Sequence, residues 1–153
     1  MRVSKRIKGF TLAAAVAAAF AGSAFAAGEV HQHGSAGEVG LVLDHGKKWQ
    51  TDAPLRQGME NIRAALAKEV RSIDEYEALA AKVAGEVAYM VQNCKLEPEA
   101  DEQLHIVIAE LMAGVEAMEG KAPGAARREG AERVAKALSE YASFFDHPGW
   151  KKP

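Results

Sequence analysis

Cys94 is the only cysteine of the chain, and other donor side chains gather around it. The surrounding stretch reads Asn93-Cys94-Lys95-Leu96-Glu97-Pro98-Glu99-Ala100-Asp101-Glu102-Gln103-Leu104-His105, a helix exit, a tight loop and a helix entry. Met90 precedes the cysteine by one helical turn, and His105 is the one histidine set inside a helical pattern. Thioether, thiolate and imidazole are donors that suit copper, Cu(I) above all. The same side chains also have a plain packing role, because methionine fills irregular gaps and a buried cysteine behaves as a small apolar residue. Glu102-x-x-His105 has the spacing that di-iron bundles use, but that centre needs the motif twice together with two further glutamates, and the chain has it once. A His-Glu-x-x-His zinc motif, a P-loop and a Gly-x-Ser-x-Gly elbow are all missing from the sequence, so hydrolytic and phosphoryl-transfer chemistry lack their signatures.

Four helices must carry these donors. Thr51-Asp52 supplies a capping side chain and Pro54 falls in the first turn, where a missing N–H costs nothing. Leu55, Met59, Ile62 and Leu66 then form one stripe at 3.6 residues per turn, predicting a first helix that reaches about Val70. Ser72-Ile73-Asp74-Glu75 has the form of a capping box, so a second helix starts after a very short joint. Its apolar face runs from Tyr76 through Leu79, Val83, Val87 and Met90 to Cys94. The third helix begins at Pro98 among acidic residues that favour the positive end of the helix dipole. Leu104, Val107, Ile108, Leu111, Val115 and Met118 form its core stripe, with His105 and Met112 flanking. Gly120-Lys121-Ala122-Pro123-Gly124 turns the chain into a fourth helix that carries Val134, Leu138, Tyr141 and Phe145 and stops at Asp146-His147-Pro148-Gly149, with Trp150 folding back. Short loops between helices of this length specify an all-α, antiparallel up-down-up-down four-helix bundle over 51–150. That order brings Met59, Met90, Cys94 and His105 to one end, together with His147 and the arm that carries His31, His33 and His45.

Residues 1–26 read as a cleaved signal peptide, with Arg2, Lys5, Arg6 and Lys8 ahead of the apolar run from Phe10 to Ala21 and small residues at Ala24-Phe25-Ala26. This predicts a periplasmic protein with no membrane span in its mature form. Residues 27–50 form an irregular Gly- and His-containing arm. Removing the first 26 residues takes away four of the 19 Lys and Arg and none of the 21 Asp and Glu, leaving 15 against 21. The acidic remainder has no basic stripe for nucleic acid. With one cysteine there is no internal disulfide.

An exported four-helix chain of this size, with Met59 inside Leu55-Arg56-Gln57-Gly58-Met59-Glu60-Asn61-Ile62, resembles the periplasmic four-helix cytochromes, both the soluble b-type and cytochrome c-prime. The likeness covers the whole bundle in architecture and the first helix in sequence. It implies haem and electron transfer, with Met59 as an axial ligand. The family's second ligand, a histidine near the end of the last helix, is replaced by Tyr141-Ala142-Ser143-Phe144-Phe145, with His147 past the helix and off its stripe. The Cys-x-x-Cys-His attachment of cytochrome c-prime is missing. The corner around Cys94 also looks like that of small exported proteobacterial proteins. Three readings follow: a non-enzymatic bundle binding a soft metal such as copper through Cys94, His105, Met90 and Met59, a b-type haem protein, and a ligand-free interaction bundle that pairs as a homodimer. All three share an exported form that starts at Ala27. Intact-mass measurement of the protein from its native host should give a chain of residues 27–153, and a mass that retains residues 1–26 would rule this out.

Overall fold

The computed structural model describes residues 40–151. The signal-peptide reading, His31 and His33 lie outside the described residues. Within them the chain forms β1 (Trp49–Gln50), α1 (Ala53–Leu66), α2 (Ile73–Asn93), α3 (Pro98–Met118), α4 (Arg127–Phe144) and β2 (Phe145–Asp146). The class is therefore four-helix and almost entirely α, with one two-stranded sheet. No helix among the described residues is long and apolar enough to cross a membrane.

Each helix begins or ends where its backbone finds a local partner. Asp52 caps α1, its Oδ1 accepting the Leu55 N–H at 2.9 Å. Ser72 caps α2 in a complete capping box. That box explains why α1 stops at Leu66 rather than near Val70. The Glu75 carboxylate takes the N–H groups of Arg71 and Ser72, at 2.8 and 2.9 Å, and so holds the joint out of helical geometry. At the far end of α2, Cys94 has already turned extended, with φ −66° and ψ 144°. It is a half-buried cap rather than a further turn of the apolar stripe.

The predicted stripes converge on one core. Leu55, Met59, Ile62, Val83, Met90, Val107, Leu111, Met118, Val134, Leu138 and Tyr141 are all sealed from solvent. The most extensive contact is between α3 and α4, followed by α1 on α2 and α2 on α3. Small residues set how closely these helices approach. A methyl group on Gly130 would fall 2.6 Å from the Gly114 carbonyl oxygen and 2.7 Å from the Met118 nitrogen, and one on Gly114 would fall 2.8 Å from the Gly130 carbonyl oxygen. The backbones of α3 and α4 thus touch where the two glycines face each other. Gly58 plays the same part between α1 and α2, because a methyl there would meet the Met90 sulfur at 2.7 Å. Asn61 Nδ2 adds a polar tie by donating to the buried Glu86 at 3.0 Å.

The described part of the arm, residues 40–50, is less irregular than its composition suggests. Trp49–Gln50 pairs in parallel with Phe145–Asp146, Trp49 opposite Phe145. Phe145 keeps its place on the apolar face of α4 and is buried, but its backbone is extended because β1 offers it a partner. Three further bonds fasten the arm. Val42 N–H donates to Gln103 Oε1 at 2.8 Å, Lys48 Nζ to the Ala142 carbonyl at 2.6 Å, and Thr51 Oγ1 to the Asp146 carbonyl at 2.5 Å.

Gly130→Ala tests the glycine contact. Alanine favours a helix interior by roughly 1 kcal/mol over glycine, whereas forcing a methyl against backbone in a packed core costs about 1–3 kcal/mol. Because the obstructing atoms are backbone, the variant is expected to be less stable than wild type in urea unfolding. A stabilised Gly130→Ala protein would mean that α3 and α4 can part at no cost.

Candidate functional site

The end of α2 and the start of α3 enclose a cavity of about 240 Å³ lined by Met90, Val91, Cys94, Asp101, Leu104, His105 and Ile108. Three of the four donors expected from the sequence therefore share one hollow. Met59 does not. It is wholly buried in the α1 stripe and takes no part in lining this cavity.

The three donors differ in their state. Cys94 follows the last turn of α2, where its N–H still bonds the Met90 carbonyl at 2.8 Å. Burial, the nearby Asp52 charge, a hydrogen bond to Asp52 and the Asp101 charge together push its thiol up to about 12. The sulfur is thus a protonated thiol at neutral pH, held in a negative environment. His105 is mostly exposed, with its side chain 66% accessible. Its Nδ1 lies 2.8 Å from the Asp101 carbonyl oxygen, one turn back. A carbonyl can only accept, so Nδ1 carries a proton, and in the neutral ring Nε2 is the nitrogen with a free lone pair. Metal-binding histidines are commonly oriented in this way, with one nitrogen donating to a carbonyl and the other free to ligate. Met90 is sealed against Gly58 on one side and borders the cavity on the other. Among the described residues no three His, Cys, Asp or Glu side chains converge as a metal-binding group. A metal in this hollow would need the Met90 thioether as a ligand.

Comparison with family models, curated proteins and solved structures finds no match for this chain.

Asp52, read from the sequence only as a helix cap, has a second role at this corner. Its second oxygen, Oδ2, accepts the Lys95 N–H at 2.7 Å across the corner, and its charge reaches the Cys94 thiol. A capping motif signals the first role, and nothing local in the sequence signals the second. Beyond Asp52 lies a wider, open hollow of about 550 Å³ lined by Asp44, His45, Trp49, Lys95, Leu96 and Glu97 among others. His45 belongs to this hollow and not to the Cys94 cavity. It sits in the left-handed region at φ 48° with its side chain in solvent, 2.7 Å from Asp44.

The haem implied by the cytochrome likeness does not fit the side chains around the end of α4. Tyr141 and Phe145 stack with their ring centres 5.2 Å apart and are both buried. His147, past the end of the helix, packs back onto the fold. Pro148 and Gly149 swing the chain back, so that its ring is only 6% exposed and its Nδ1 lies 2.9 Å from the Tyr141 hydroxyl.

The thiol's neighbours can be tested directly. Asn at position 52 still caps a helix but removes the negative charge. Asp52→Asn should lower the Cys94 pKa and speed alkylation by iodoacetamide at pH 8, by about tenfold for each unit of the fall. An unchanged rate would assign the protonated thiol to burial and Asp101 without Asp52.

Proposed function

We propose that this chain is a non-enzymatic, exported four-helix bundle that binds a soft metal ion, Cu(I), in the cavity between α2 and α3, through Cys94 Sγ, Met90 Sδ and His105 Nε2. The observation that carries the reading is the shared cavity, with His105 oriented by a carbonyl so that Nε2 is free. Sulfur and imidazole donors select Cu(I) over harder cations. The electrostatics favour a cation as well. Asp52 and Asp101, which hold the proton on Cys94, would equally favour a metal ion that takes the proton's place. Met59, buried outside this cavity, is left to the core.

The helices alternate in direction in this reading. Two ties support that order. Asp52 joins the start of α1 to the chain leaving α2, and the β1–β2 pair joins the entrance of α1 to the exit of α4. Such an order puts the donors of α2 and α3 at similar heights without any long connection. Export accounts for the basic and apolar beginning of the sequence.

Cu(I) titrated under reducing conditions against a chromophoric competitor tests the assignment. Wild type should bind one equivalent. Cys94→Ser and His105→Ala should each weaken binding by more than about tenfold, since loss of even a group that only orients a ligand acts on that scale, while Met59→Leu should leave it unchanged. Ligation by the thiol displaces its proton, so affinity should fall by about tenfold for each unit drop in pH across the neutral range. Equal affinity in all four proteins, or no stoichiometric binding by wild type, would overturn the proposal.

A further inference from the structure

The end of the described chain holds a second polar cluster, separate from the Cys94 cavity. After α4 the segment 145–150 turns back over α1. Phe145 and Asp146 pair with β1, the His147 ring is buried beneath Trp150 with centres 4.9 Å apart, and Trp150 meets Tyr141 edge-on at 5.2 Å. Arg63 lies over the Trp150 ring at 5.8 Å. Tyr141 is wholly buried, and its hydroxyl bonds only His147 Nδ1 among the described residues. The Tyr141 proton has no other acceptor, so Nδ1 must be the unprotonated nitrogen. The neutral ring then carries its hydrogen on Nε2, which points toward Glu60 Oε1 at 3.7 Å.

This arrangement has room for one proton on the ring and not for two. A second proton would sit on Nδ1 and turn it into a donor, leaving the buried Tyr141 hydroxyl hydrogen without an acceptor. The charges around the ring come from two elements. Glu60 on α1 and Asp146 on β2 favour an added proton, while Arg56 and Arg63 on α1 oppose it. Burial opposes it most, and the balance holds His147 below its ordinary 6.5.

We infer that residues 145–150 form an acid-released clasp, in which protonation of His147 breaks the Tyr141 bond, frees Trp150 and unpairs β2 from β1 while the four helices stay folded. The sign follows from linkage. A group whose folded value is depressed leaves the closed state fully favoured above pH 6.5, and the closed state is lost as pH falls from there through the folded value. The opened segment binds one more proton than the closed one across that window. Opening also releases the Trp150 Nε1, which is buried with no hydrogen-bond partner among the described residues.

Hydrogen exchange of the Trp150 amide, which donates to the His147 carbonyl at 3.1 Å, reports the clasp directly. Its protection factor in the full chain should fall below pH 6.5 by up to about tenfold per pH unit, with that of the Leu111 amide in α3 unchanged. His147→Gln keeps an acceptor for the tyrosine and cannot titrate, so its protection factor should be flat over the same range. In the wild type, NMR titration of the His147 ring should show a midpoint below 6.5. A midpoint at or above 6.5, or the same acid dependence in His147→Gln, would overturn the inference.

Discussion

One carboxylate fixes the corner on which the rest of the molecule depends. Asp52 offers one oxygen to the first turn of α1 and the other to Lys95, 43 residues further along, and its charge raises the pKa of the Cys94 thiol as well. Two backbone donors from distant segments are thereby satisfied by a single side chain, at a place where α1 would otherwise begin with open N–H groups. The same negative charge that caps the helix also sets the protonation of the sulfur. Structure and chemistry at this corner are coupled through Asp52, so neither can vary alone.

Close approach of the helices gives that corner a rigid base. Where Gly114 meets Gly130, α3 and α4 touch through their backbones, and Gly58 lets the Met90 side chain lie flat on α1. Dense contact of this kind gains dispersion energy from many small terms. It also restricts Met90, which borders the donor cavity and cannot move far without losing its seat on Gly58.

The helices were legible because their signals are local. Asp52, Ser72 and Pro98 mark starts that the structure keeps, and the stripe through Leu104, Val107, Leu111, Val115 and Met118 names the buried face of α3. The corner was legible in part, since Met90, Cys94 and His105 lie within two turns of a loop whose ends are easily read. Met59 was placed with them by its height along α1, and height says nothing of which way a side chain faces. Of the misread features, the extended backbone of Phe145 depends on a partner distant in sequence, because β1 reaches it, whereas the joint after α1 is set locally, where Glu75 captures the N–H groups of Arg71 and Ser72.

The parallel pairing of β1 with β2 also has a mechanical meaning. The chain enters the helices through β1 and leaves them through β2, and both strands run in the same direction. Tension applied to the two ends therefore pulls the strands past each other lengthwise and loads all of their cross-links at once, instead of peeling them one by one. The Thr51 and Lys48 side-chain bonds to Asp146 and Ala142 share that load. The helices behind the pair feel no pull until the join has sheared, so a force reaching this protein through its ends meets its smallest element first and in its strongest direction.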